Sequence, residues 1–161
     1  MIQIRQAIPA DHDAIWDIIQ EIILTGDTYV FAPDSSKEKM LNIWLGEGRH
    51  TYVATIEGIV AGTLVLKDNQ MDLGSHIANG SYMVSAAFAG KGVGKAMGQF
   101  SIEEARRLGY KAMQFNIVIK SNERAVTLWK KLGFDIIGEI PDAFNHLRDG
   151  LTNAYIMYRK L

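Results

Sequence analysis

The chain has 161 residues, 48% hydrophobic and 22% charged, a composition that excludes a disordered chain and fits one domain with enough apolar material for a core. With 17 Lys and Arg against 18 Asp and Glu the net charge is −1, which argues against a bulk basic surface for nucleic acid. There is no cysteine, so disulfides, thiolate metal sites and cysteine nucleophiles are excluded, and no apolar run is long enough to span a bilayer.

Residues 1–161 are expected to form a single domain, since no linker, repeat or low-complexity tract interrupts them. Met1–Arg5 lacks a basic region followed by an apolar stretch, so no signal peptide is expected and a cytoplasmic location is the default. Ile2–Arg5 reads as a short strand. Asp11 is suited to cap the next helix, which carries Ile15, Ile18, Ile19, Ile22 and Ile23 at helical spacing. Gly26 ends it, and a loop through Tyr29, Phe31, Pro33 and Asp34 follows. Ser35 or Ser36 caps a second helix containing Met40, Ile43 and Trp44. Thr51–Ile56 and Ile59–Leu66 read as strands joined by a tight Glu57-Gly58 turn. Asn79–Phe88 reads as a strand, Gly92–Leu108 as a helix closed by Gly109, and Ala112–Ile119 as a strand. A helix from Asn122 to Leu132, closed by Gly133, precedes final strands at Phe134–Ile140 and Ala154–Tyr158. The three prolines are each placed between regular segments. This order predicts an α/β (α+β) fold: a mixed sheet with helices on its faces.

The most informative stretch is Ala89-Gly90-Lys91-Gly92-Val93-Gly94-Lys95, which joins a strand to a helix. Glycines let a ligand approach the backbone, and the N–H groups opening a helix favour an anion. Lys91 and Lys95 add charge. The stretch is not a P-loop, because Ala89 stands where the first glycine belongs and Ala96 replaces the hydroxyl. It is not a dinucleotide fingerprint, because Lys95 or Met97 falls on the last glycine position. By itself, the turn fits a phosphate site and an unliganded strand-to-helix junction equally well.

A second pattern narrows the choice. Ala89–Gly94 resembles the Gln/Arg-x-x-Gly-x-Gly/Ala signature of the GCN5-related N-acetyltransferase (GNAT) family, with Ala89 in the polar position. Asn122–Phe134 resembles the same family's Asn-x-x-Ala-x-x-Leu-Tyr-x-Lys-x-Gly-Phe, with Trp129 in the Tyr position. The resemblance covers essentially the whole chain and implies a mostly antiparallel sheet of six to seven strands. It implies an acetyl-CoA-dependent N-acetyltransferase acting by direct attack in a ternary complex. Ala89, Gly90, Lys91, Gly92, Val93, Gly94 and Lys95 would then bind the pyrophosphate. The backbone of Met83, Val84 and Ser85 would pair with pantetheine, and Asn122, Ala125, Trp129 and Lys131 would complete the cofactor site. A homodimer is possible by the same analogy.

Catalysis needs a neutral amine, hence a route for its proton. The family's Glu near the cofactor strand is missing here. His76 is the nearest titratable group, with Asn79 as a residue that orients water. The family acid is replaced by Trp129, whose indole is no proton donor at neutral pH, so Tyr82 is the candidate acid. Tyr29, Phe31 and Phe144, on loops Gly26–Ser36 and Pro141–Gly150, are the candidate acceptor walls, suited to a small-molecule amine or an amino-acid-like acceptor. The scattered histidines show no metal-ligand spacing, so no metal is expected. The alternative is a non-catalytic acyl-CoA-binding sensor or interaction module.

Overall fold

The computed structural model describes residues 1–161. In chain order the elements are β1 (Ile2–Gln6), α1 (His12–Thr25), α2 (Lys37–Leu45), β2 (His50–Ile56), β3 (Ile59–Asp68), β4 (Ile77–Val84), α3 (Val93–Arg107), β5 (Ala112–Ile119), α4 (Glu123–Lys131), β6 (Asp135–His146) and β7 (Gly150–Lys160). The strands form one seven-stranded sheet in the order β1-β2-β3-β4-β5-β7-β6. Every neighbouring pair is antiparallel except β4 with β5.

Strand alternation sends successive side chains to opposite faces, and helices cover both. On one face Val53, Val65 and Met83 meet Ile15, Ile19, Met40 and Trp44 of α1 and α2. On the other, Leu64, Leu66, Met113 and Phe115 meet Met97 of α3 and Trp129 of α4. Fully burying one such side chain contributes about 1.5–3 kcal/mol, so these two layers are the main source of stability. Trp44 is buried without an orphan donor, because its Nε1–H donates to Thr63 Oγ1 at 2.9 Å.

Four local expectations are corrected. Asp11 flanks α1 without capping it. Its carboxylate instead takes two hydrogen bonds from the Arg5 guanidinium, at 2.6 and 2.8 Å, and one from the Ile8 N–H. The strand expected to reach Phe88 ends at Val84, and Ala86–Phe88 forms a 3-10 turn. The last two strands are longer than their apolar cores, reaching Asp135–His146 and Gly150–Lys160. Pro141 therefore lies inside a strand, at a register shift between Ile140 and Phe144, where a residue without N–H is tolerated.

The largest break in the sheet is the parting of β4 and β5. Their ladder holds only Ile77 to Ala112 and Ala78 to Met113. Beyond it β5 is irregular between Phe115 and Val118, where its pairing with β7 shifts register. The irregularity bends β5 away from β4. Asn79 bridges the fork, its Nδ2 donating to Gln114 O at 3.0 Å in place of a ladder bond.

Candidate acyl-transfer site

Antiparallel pairing fixes which way the β4 backbone faces. Asn69 N–H donates to Ile77 O and Ser85 N–H to Ala61 O, so odd-numbered residues face β3. Gly80, Tyr82 and Val84 face the fork, where β5 offers them no partner. The fork opens into a cleft of about 250 Å³ lined by Asn79, Gly80, Ser81 and Tyr82 from β4, by Phe115 to Ile119 from β5, and by Asn122, Ala125 and Trp129. Thr28 to Phe31 close it from the α1–α2 loop. No lining side chain is charged.

At the far end of β4 the glycine turn takes the shape its sequence demands. Gly90 has φ 75° and Gly92 has φ 81°, values that side chains rarely adopt, and a Cβ at either would meet nothing within 4 Å. The turn is thus held open by backbone conformation, with empty space in front. Ala96 N–H makes the first helical bond, to Gly92 O, so the N–H groups of Gly92, Val93, Gly94 and Lys95 have no backbone acceptor. Lys91 and Lys95 are exposed beside them. These donors and cations fit a pyrophosphate. Next to the turn, a groove between α3 and α4 brings Lys95, Arg124 and Lys131 together. Arg124 escaped the sequence reading because nothing in a helix pattern shows which facing helix it will share.

The predicted residues divide clearly. Met83 is buried under α1 and α2, while Tyr82 and Val84 face the α3 and α4 layer. Ser85 is tied to Ala61, and Ala89 leads into the turn. Asn122 caps α4 through a bond from Ala125 N–H at 3.3 Å and also lines the cleft. Trp129 is only 7% exposed and packs with Tyr82, Phe115 and Phe134 at centroid distances of 4.7, 4.5 and 5.5 Å.

Four expected site residues do not reach the cleft: Met83 and Ser85 turn their backbone groups to β3, which leaves only Val84 of that trio facing the fork, and His76 and Phe144 lie apart from it. His76 is exposed, does not line it, and lies at the closed end of β4, where its C=O accepts from Lys111 N–H. Phe144 is buried against Ile119 and Ala154 rather than presented to a ligand. Tyr82 reaches the cleft, but its hydroxyl donates to Ser101 Oγ at 2.8 Å, and Ser101 donates in turn to Gly98 O. Burial pushes the Tyr82 phenol well above its ordinary range, so it keeps its proton.

Tyr29 is the surprise. Its hydroxyl donates to Tyr82 O at 2.6 Å and accepts from Tyr82 N–H at 2.9 Å. Burial pushes this phenol up to about 12, partly opposed by the bond to Tyr82. Phe31 stacks beside it, with ring centroids 6.0 Å apart and planes at 10°. The loop is tied to the β6–β7 hairpin by Leu147 N–H donating to Gly26 O at 3.3 Å and by Arg148 at 3.5 Å from Asp27. Glu21 of α1 escaped the sequence reading too; its carboxylate accepts from Ala86 N–H, holding the turn after β4.

The profile of the Acetyltransferase (GNAT) family matches residues 16–134. A GCN5-related N-acetyltransferase structure from Kribbella flavida superposes with a TM-score of 0.95 at 39% identity, over 99% of this chain and 98% of that one. A phosphinothricin acetyltransferase from Sinorhizobium meliloti in complex with acetyl-CoA shares the fold, with a TM-score of 0.88 at 24% identity over 99% and 88%. N-acetyltransferase aca1 of Schizosaccharomyces pombe is 35% identical over 97 residues, 59% of this chain but only 46% of the yeast protein. The chain belongs to the GNAT acetyltransferase family.

Proposed function

We propose that the protein is an acetyl-CoA-dependent N-acetyltransferase that modifies the primary amine of a small or amino-acid-like molecule by direct attack in a ternary complex. The observation that carries this reading is the open β4 edge, which runs from an uncharged cleft to a turn with four unpartnered N–H groups. Acetyl-CoA supplies the acyl group as a thioester. In this reading Gly92 to Lys95 bind the pyrophosphate through backbone donors, with Lys91 and Lys95 adding charge. Pantetheine adds to the edge of β4 at Val84, where Tyr29 leaves it free, with the side chains of Asn122, Ala125 and Trp129 forming the opposite wall. Lys95, Arg124 and Lys131 are placed to hold a further phosphate.

The cleft itself solves part of the proton problem. An ammonium ion entering walls without charge is disfavoured relative to the neutral amine, so burial lowers its pKa. Asn79, with Nδ2 committed to Gln114, leaves Oδ1 free to accept from the amine or a water beside it. Tyr82 holds its proton on Ser101, so the chain contributes binding and orientation rather than a strong acid. An acceptor carboxylate would find no cation on these walls and would stay at the mouth.

Calorimetry with acetyl-CoA, followed by a thiol-release assay over amines, amino acids and peptides, tests both halves. Lys91→Glu combined with Lys95→Glu alters exposed side chains only and should weaken acetyl-CoA about tenfold or more. Unchanged affinity would place the cofactor elsewhere. Tight binding without thiol release on any amine would favour an acyl-CoA sensor.

A further inference from the structure

We infer that Tyr29 is an acyl-specificity residue: its phenol and the acyl carbonyl of the donor compete for the Tyr82 N–H, so the acceptor loop moves only when the donor carries an acyl group. This rests on the cofactor placement proposed above.

The geometry leaves little freedom. Three residues of β4, Gly80, Tyr82 and Val84, face the fork. A donor anchored by its pyrophosphate beyond Val84 meets Val84 first with its pantetheine arm. Tyr82 lies two residues deeper, about 6.6 Å along the strand, where the acyl end arrives. That position is already taken, since one Tyr29 oxygen engages both the N–H and the C=O of Tyr82. A single N–H serves one good acceptor. The acyl carbonyl is an acceptor, and so is the phenol oxygen at this bond, so they exclude each other.

The consequence reaches the acceptor side because Tyr29 belongs to the loop that closes it. The ring stacks on Phe31, and both residues line the cleft. Loading with an acylated donor releases this segment while Gly26 and Asp27 remain held to the hairpin tip. Free CoA ends in a thiol with no carbonyl, so it leaves Tyr29 in place. After transfer the acyl carbonyl departs with the product, and Tyr29 returns to Tyr82.

Tyr29→Phe is the direct test, since it keeps the ring and its stacking while removing the competing oxygen. Dissociation constants for acetyl-CoA and for CoA are measured by calorimetry on both proteins, each first shown folded by circular dichroism. Acetyl-CoA should bind about tenfold more tightly to the variant, the effect of relieving one or two ordinary hydrogen bonds. CoA should change by less than about twofold. An acetyl-CoA affinity that is unchanged or weakened, or equal shifts for both ligands, would overturn the competition while leaving the cofactor site in place. Wild-type protein that binds neither ligand would overturn the cofactor reading and this inference with it.

Discussion

Gly80 and Tyr82 share one face of β4, and the Tyr82 ring lies where a side chain at position 80 would be. A Cβ on Gly80 would stand 2.6 Å from Tyr82 Oη and 3.0 Å from two ring carbons. The glycine is therefore a matter of space, not of backbone conformation. Its absence of a side chain lets the ring fold along the strand and reach Ser101. Gly80→Ala should cost about 1–3 kcal/mol of stability, as overpacking does. Urea denaturation measures this. Tyr82→Phe in the same chain removes the closest atom and should recover part of the loss.

A related contact holds α3 against α4. A Cβ on Gly98 would meet Leu132 Cδ1 at 2.6 Å and Trp129 at 3.1 Å. The indole is thus packed tightly among Tyr82, Phe115 and Phe134. Trp129→Phe leaves a gap and should cost about 1–3 kcal/mol. It should nevertheless keep kcat within about tenfold of wild type, because no proton passes through the indole. A fall of several orders of magnitude in a folded variant would mean that Trp129 takes part in the chemistry.

Much of this was legible in the sequence. Apolar periodicity placed α1 and α3, cap residues placed α2 and α4, and the glycine turn and the Asn122–Phe134 pattern together pointed to the fold. What stayed hidden depends on tertiary geometry. The fork arises from a register shift in β5 near Asn116 and Ile117, which alternation does not reveal. The Tyr29 bond to Tyr82 joins residues 53 apart along the chain. Phe144 looked like a loop aromatic because Pro141 suggested that the strand had ended, whereas the hairpin absorbs the proline at a bulge. Gly80 did carry a usable signal: an isolated glycine inside a strand pattern marks a close approach.

Acid stability offers an independent check on the first turn of the fold. Two hydrogen bonds from Arg5, and one from Ile8 N–H, hold the Asp11 carboxyl below its ordinary value against the opposing effect of burial. A depressed folded pKa means that the stabilisation is complete above the unfolded value of about 3.9 and is lost as pH falls through the folded one. Asp11→Asn should cost about 1–2 kcal/mol at pH 7, since Arg5 is half-exposed and partly screened. The gap between wild type and variant should narrow as pH drops below about 4. A gap that is constant from pH 7 to pH 3 would show that the charge on Asp11 contributes nothing.

The proton route can be separated into two residues that the sequence placed close together. His76 and Asn79 are three positions apart, yet only Asn79 lines the cleft. His76 is exposed at the closed end of β4. His76→Ala should therefore leave kcat/KM and its pH profile close to wild type. Asn79→Ala removes both the bridge to Gln114 and the amide oxygen of a side chain that lines the cleft, and should lower kcat/KM by about tenfold or more. Asn79→Asp separates the two roles. A carboxylate cannot donate to Gln114 O, but it can accept a proton from the amine. If orientation by the bridge dominates, the Asp variant should be as slow as the Ala variant at every pH. If the oxygen facing the amine dominates, the Asp variant should recover activity as pH rises through its own titration. A slow His76→Ala enzyme that has lost the rise of kcat/KM with pH on the acid side would instead return the proton to the imidazole, by way of water entering from the β4 end.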